Sequence, residues 1–236
     1  MIAALILGLI TGSFTGVICY RIPRNQSIIF PASRCDSCMT SIPVYRNIPI
    51  ISYLLQTGKC PYCGQKINKL HFFLEVLTPV MFLVLYHYYS LNIIFFYKAF
   101  IFSALLAASF IDIEIHIIPD RFYIILLAVS FLFCTNPEKW FLGTASYGLP
   151  VLMLYFASDF IKKEIIGFGD VKLICAVDEF LSYSGLKNLL LFYEILYISA
   201  GLFSIFLIFF RKRTLKSYIP FAPFICFSTF ISGVCL

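Results

Sequence analysis

The run IIFFYKAFIFSALLAASFI, residues 93–111, is followed at once by Asp112. With Lys98 as its single charge, the run is long enough for a helix to cross a bilayer, which takes about 20 mostly apolar residues. Seven other stretches read the same way: about 1–19, 72–90, 119–134, 141–160, 171–185, 188–210 and 218–236. The stretch 171–185 is the shortest and carries Asp178 and Glu179. Composition agrees with this reading. Of 236 residues 61% are hydrophobic and 13% charged, against about 25% charged in a soluble domain. A soluble core cannot absorb that much apolar surface, so the expected fold is an all-α polytopic membrane protein of about eight transmembrane helices in the lipid bilayer. The first stretch has no basic segment before it and no small-residue cleavage site, and reads as an anchored helix rather than a removed signal.

Basic residues stay on the cytoplasmic side of a membrane protein. With the N-terminus outside, the inner segments hold Arg21, Arg24, Arg34, Arg46, Lys59, Lys66, Lys69, Arg121, Lys162, Lys163, Lys172, Arg211, Lys212, Arg213 and Lys216. Only Lys98, Lys139 and Lys187 fall outside. The net charge of +6 is therefore a topology signal spread over helix ends. It is not a basic face for nucleic acid, and no nucleic-acid partner is expected.

One segment breaks the apolar pattern. Residues 20–71 are rich in basic side chains and prolines and hold four cysteines, so the chain divides into a first helix (1–19), a small cytoplasmic domain (20–71) and a seven-helix bundle (72–236). Cys35-Asp-Ser-Cys38 and Cys60-Pro-Tyr-Cys63 lie 21 residues apart, close to the spacing at which two knuckles fold over one tetrahedral Zn²⁺. Gly64, after the second pair, supplies the permissive backbone such a knuckle needs. A reducing compartment disfavours disulfides, and a redox site would need one C-x-x-C in a strand–helix setting. Four thiolates close the coordination sphere, so the metal would shape the loop without doing chemistry. Cys19, Cys134, Cys175, Cys226 and Cys235 have no paired spacing and read as small buried hydrophobes.

Acids inside apolar helices are costly and are functional candidates by default. Asp112 closes the third stretch, before Pro119, and Asp170 opens the sixth, after Gly167 and Gly169, which would let the backbone turn sharply or approach a ligand closely. Both would emerge at the cytoplasmic face. Two carboxylates within reach of one water cannot both ionise easily, so one would keep its proton as acid while the other serves as base. Helix ends suggest that Asp170, at an N-terminus, ionises and that Asp112, at a C-terminus, keeps the proton. At this level a hydrolytic pair and a proton- or cation-coupled transporter remain alternatives. Nearby, Glu114 and His116 would lie beyond the helix end in solvent, Asp120 would cap the next helix, and Lys172 would anchor the interface.

The motifs around these residues resemble those of the type IV prepilin peptidases, bacterial members of the GxGD intramembrane aspartyl proteases. The resemblance rests on Gly167-Phe168-Gly169-Asp170 with Val171-Lys172-Leu173, and on Phe110-Ile111-Asp112 with Ile118-Pro119-Asp120. It extends to Gly12-Ser13-Phe14 with Arg21-Ile22-Pro23, to Asn47 through Tyr53, and to Pro220-Phe221-Ala222-Pro223-Phe224. It implies an enzyme of the bacterial inner membrane, active on the cytoplasmic side, that cuts the basic leader of prepilins or pseudopilins after a glycine. It also implies N-methylation of the new terminus with S-adenosylmethionine. Carried over, Asp112 and Asp170 are the catalytic pair, Cys35, Cys38, Cys60 and Cys63 the zinc ligands, and Glu75 a contact for methyl transfer; the residues alone would make Glu75 a buried acid paired with a loop Arg or Lys. Two departures stand out: Gly16 occupies a position where the family usually has asparagine, and Asp178-Glu179 interrupts the apolar stretch after Asp170.

Overall fold

Gly8, Gly12 and Gly16 recur every fourth residue and therefore share one face of α1 (Ile2–Arg21). In the computed structural model that face lies against α3 (Lys69–Tyr89) at backbone distance. A Cβ built on Gly8 would sit 2.5 Å from Cα of Pro79, and one on Gly12 2.8 Å from the Leu74 carbonyl oxygen. Where both sides are apolar, close backbone approach of this kind is how helices associate within a membrane.

The structure describes residues 1–161, 166–177, 185–211 and 219–235. Lys162, Lys163, Asp178, Glu179, Lys212, Arg213 and Lys216 lie outside the described residues, as do the side chains of Arg211 and Cys235. The chain forms two compact units, Met1–Ala99 and Phe100–Leu236. In the first, the segment between α1 and α3 is almost all turns, with a short helix α2 (Ile51–Leu55). Arg21, buried at the end of α1, holds the start of this segment by donating to the carbonyls of Ser27 (2.9 Å) and Pro31 (2.8 Å). Stacking of Tyr53 on Phe72, with centroids 4.6 Å apart, ties its end to α3.

α4 (Ile93–Ile115) begins in the first unit and continues into the second. The second also holds α5 (Asp120–Phe133), α6 (Pro137–Ile161), α7 (Phe168–Cys175), α8 (Leu186–Arg211) and α9 (Ala222–Cys235). The short α7 packs on α5, α6 and α9. Trp140 Nε1 donates to Ser130 Oγ at 2.9 Å, tying α6 to α5, and Phe102 lies 4.9 Å from Phe230, tying α4 to α9.

Among the described residues five helices are long and apolar enough to cross a membrane: α1, α3, α4 and most of α6 and α8. The expected eight crossings are not all found. α5 and α9 have 14 residues each and α7 has 8. At 1.5 Å per residue these reach about 21 Å and 12 Å, short of the roughly 30 Å hydrocarbon layer. The apolar composition of a stretch marks it for the bilayer but does not set its helical length. In α7 the helix gives way to a turn at Ala176.

The glycine face makes a test. Gly8→Ala forces a Cβ into Pro79 and should destabilise the first unit by about 1–3 kcal/mol. Gly201→Ala, where a Cβ meets nothing within 4 Å, should be neutral or gain up to about 1 kcal/mol of helix propensity. Thermal unfolding in detergent compares the two variants.

Candidate active site and metal centre

Asp112 lies one turn from the end of α4 and is 2% exposed. Its Oδ2 accepts the amide of Ala222 at 3.2 Å, with the Phe221 amide also on the carboxylate. Ser109, one turn earlier on the same face of α4, shares its hydroxyl proton between the carbonyl of Leu105 at 2.7 Å and that of Ala222 at 3.1 Å. The first residue of α9 is thus gripped at both its backbone polar groups by one face of α4. Asp112 therefore closes one helix while facing the N-terminus of another, and the helix-end argument that gave it the proton fails. The sequence signal for this contact was the Pro220–Phe224 motif, whose prolines mark a helix start. Nothing in the sequence pointed to Ser109.

Asp170 is the third residue of α7 and 5% exposed. Its carboxylate reaches back to the amide of Gly167, the residue that caps the helix, as an acid at that position does in a capping box. Gly167 has an ordinary extended backbone at φ −73°, so the expected sharp turn is absent. A Cβ on Gly169 would meet Ile118 at 3.5 Å, an ordinary contact. The protein itself leaves room for a side chain there. Asp112 acts electrostatically on Asp170, so the two sequence-selected acids are both buried in the second unit and within electrostatic range.

Their neighbours differ from expectation in two respects. Asp120 is not a cap, because Pro119 holds that position. It pairs instead with Lys172 at 2.8 Å, and the Lys172 ammonium also sits about 4.9 Å from the rings of Tyr123 and Phe168. This pair joins the start of α5 to α7 beside Asp170. Glu114 and His116 are exposed, as expected, although Glu114 still belongs to the last turn of α4.

In the first unit the two C-x-x-C pairs fold alike. The Met39 amide donates to the Cys35 carbonyl and the Cys35 amide donates to the Thr40 carbonyl; Gly64, Cys60 and Gln65 repeat this pattern. Each knuckle places its fifth residue at positive φ, 58° at Met39 and 71° at Gly64. The four Sγ atoms lie within 4.8 Å of one another, with Cys35–Cys63 at 3.8 Å and Cys38–Cys60 at 4.0 Å, and all four are free thiols. A tetrahedral ion with metal–sulfur bonds of about 2.3 Å needs sulfurs about 3.8 Å apart, so this set fits one metal ion. The electrostatics fit as well. Hydrogen bonds from the Thr40 side chain and amide draw the Cys38 thiol down to about 6, and the amides of Cys63 and Tyr62 draw Cys60 down. Cys63 also receives an amide, from Gln65, yet desolvation and the three neighbouring sulfurs push it up to about 11. Four such groups ionise together only around a cation.

A cavity in the same unit runs beside this cluster between α1, the loop and α3, and Glu75 and His71 line it. Glu75 Oε2 accepts the amide of Ile50 at 2.7 Å, so the partner of this acid is a backbone group, not a loop Arg or Lys. Ile50 has φ 63° and ψ −54°, a conformation that strains a β-branched residue by about 1–3 kcal/mol. Glu75 holds that backbone in place.

A helical membrane protein with two buried, interacting carboxylates and a separate thiol cluster has the parts of a membrane-embedded aspartic protease. Residues 6–89 match the family model of the bacterial peptidase A24 N-terminal domain, and residues 99–210 match that of the type IV leader peptidase family. Three relatives named prepilin leader peptidase/N-methyltransferase align over most of the chain. That of Pectobacterium carotovorum subsp. carotovorum is 29% identical, covering 79% of this chain and 76% of its own. That of Bacillus subtilis (strain 168) is 28% identical, covering 92% and 87%. That of Vibrio cholerae is 26% identical, covering 94% and 92%. No solved structure matches. The chain belongs to the type IV leader peptidase family and is a peptidase. The transporter reading of the two acids finds no support in these matches.

The thiol cluster predicts about one bound metal ion per chain by elemental analysis of the purified protein. Cys35→Ala or Cys60→Ala should lose it together with membrane abundance, because binding and folding of such a loop are coupled. Gly64→Ala meets nothing sterically and should cost only about 1 kcal/mol, from its positive φ.

Proposed function

We propose that this chain removes the basic leader of type IV prepilins or pseudopilins at the cytoplasmic face of the bacterial inner membrane, cutting after a glycine, and then methylates the new N-terminal amine. The observation that carries the peptidase half is the pair Asp112 and Asp170, buried to 2% and 5% exposure within electrostatic reach of each other. Two carboxyls this buried and within electrostatic range do not both ionise readily, so one holds a proton while the other is ionised. The ionised carboxylate takes a proton from a water held between the two, and the resulting hydroxide attacks the scissile carbonyl carbon. The protonated carboxyl stabilises the developing oxyanion, and a proton then passes to the leaving amine. No covalent enzyme intermediate forms.

The supports around the pair suit this role. The amides of Ala222 and Gly167 fix the two carboxylates, and Ser109 fixes Ala222. The room beside Gly169 suits an extended substrate backbone close to Asp170. The basic leader would rest on the cytoplasmic side, and the apolar segment that follows it along the helices. The metal of the four-cysteine cluster is Zn²⁺, held by Cys35, Cys38, Cys60 and Cys63, and it orders the loop.

The methylation half draws on the cavity of the first unit. Its lining joins the Glu75 carboxylate, the Arg46 guanidinium, the amides of Asn47 and Gln56 and the Tyr20 and Tyr62 rings. This donor set fits S-adenosylmethionine, which offers a carboxylate, an amine, a cationic sulfur and an adenine ring. When bound, that group supplies an activated methyl.

Asp112→Asn and Asp170→Asn, expressed separately with a prepilin, should each abolish leader removal on a gel at normal enzyme abundance. Full processing by either variant refutes the reading. The wild-type rate should fall at acid pH, where both carboxyls are protonated, and again at higher pH, where both are ionised.

A further inference from the structure

The absence of a side chain at Gly16 is filled by a neighbour. A Cβ built on Gly16 would lie 2.5 Å from Nδ1 of His71, so the imidazole of α3 occupies the space that any other residue of α1 would claim. Gly16 thus differs from Gly8 and Gly12, which admit helix backbone. His71 lies in the first turn of α3, and its ring makes no hydrogen bond among the described residues. It lines the cavity of the first unit together with Glu75, its neighbour one helical turn on. Asp36 and Glu75 both act on it electrostatically, and the other titratable groups lining the same cavity are Tyr20 and Arg21 of α1, Arg34, Cys35, Arg46, Cys60, Tyr62 and Lys66 of the loop, and Tyr53 of α2.

An imidazole titrates near neutrality and takes up protons when properly placed, whereas Glu75 is already committed to the Ile50 amide. The methyl-transfer reading leaves one chemical task unassigned. A peptide N-terminus is mostly an ammonium at neutral pH, since the α-amino group titrates near 7.7–8.0 in general. It has no lone pair until it loses a proton.

We propose that His71, given its room by Gly16, is the proton acceptor for N-terminal methylation, with the Glu75 carboxylate on the same cavity wall to attract the incoming ammonium. This rests on the methyl-transfer reading of the cavity. The ammonium gives one proton to a ring nitrogen of His71. The freed nitrogen lone pair forms the N–CH₃ bond as the C–S bond breaks, and its electron pair stays on sulfur, which turns from sulfonium to thioether. The imidazolium then returns its proton to water at the cavity mouth.

The test uses full-length enzyme in detergent and a pre-cleaved pilin peptide with a free N-terminal amine, so that peptidase activity does not enter. His71→Gln should methylate at least tenfold more slowly at pH 7, yet approach the wild-type rate at pH 9, where the amine is already neutral. Calorimetry should find S-adenosylmethionine bound within about twofold of wild type. Gly16→Ala, which pushes on the ring, should show the same pattern more weakly. In the wild type, S-adenosylhomocysteine should protect His71 at least fivefold from diethyl pyrocarbonate, with His87 labelled equally in its presence and absence. Methylation by His71→Gln at the wild-type rate at pH 7, loss of S-adenosylmethionine binding in that variant, or no protection of His71 would each overturn the proposal. A wild-type enzyme that binds S-adenosylmethionine but methylates nothing, or does not bind it at all, would overturn the methyl-transfer reading itself and the role of His71 with it.

Discussion

A carboxylate among apolar helices is tolerable only where donors come to meet it, and in the second unit those donors are backbone amides at helix beginnings. Asp112 takes the amide of Ala222 as α9 starts, and Asp170 that of Gly167 as α7 starts. Helix N-termini carry unsatisfied N–H groups and partial positive charge, so each acid and each helix start answers the other's need. The arrangement sets the starts of α7 and α9 at the two acids. It also gives Ser109 its importance, because the peptide unit that serves Asp112 is itself held through its carbonyl.

The first unit solves a different problem by similar means. The loop between α1 and α3 has little regular structure and is organised from its edges: by Arg21 on the carbonyls of Ser27 and Pro31, by Glu75 on the strained amide of Ile50, and by four sulfurs spaced for one ion. Each of these anchors brings a charged or ionisable group against backbone or against its fellow sulfurs. The cavity between them is consequently lined by polar groups of fixed position, although its walls are membrane helices.

Much of this was legible in the sequence because it was written locally. The cysteine pairs announce their knuckles within four residues, and Asp112 and Asp170 stand out against apolar neighbours without any knowledge of the fold. What escaped was set by partners far along the chain. Asp120 looks like a cap by its place after Pro119, and only the approach of Lys172, 52 residues later, makes it half of an ion pair. Glu75 looks like the partner of a basic side chain, but its partner is an amide, which every residue except proline carries and no sequence pattern marks. Apolar composition marks eight stretches, whereas five helices long and apolar enough to cross a membrane emerge among the described residues, because composition does not set where a helix begins and ends.

The glycine face of α1 has one more consequence. Because Gly8 and Gly12 bring α3 to backbone contact, no acyl chain fits between the two helices along that seam. The floor of the cavity above it is therefore sealed by protein. A small polar ligand of that cavity would meet protein on the side of α1 and α3, and two helices suffice as its base.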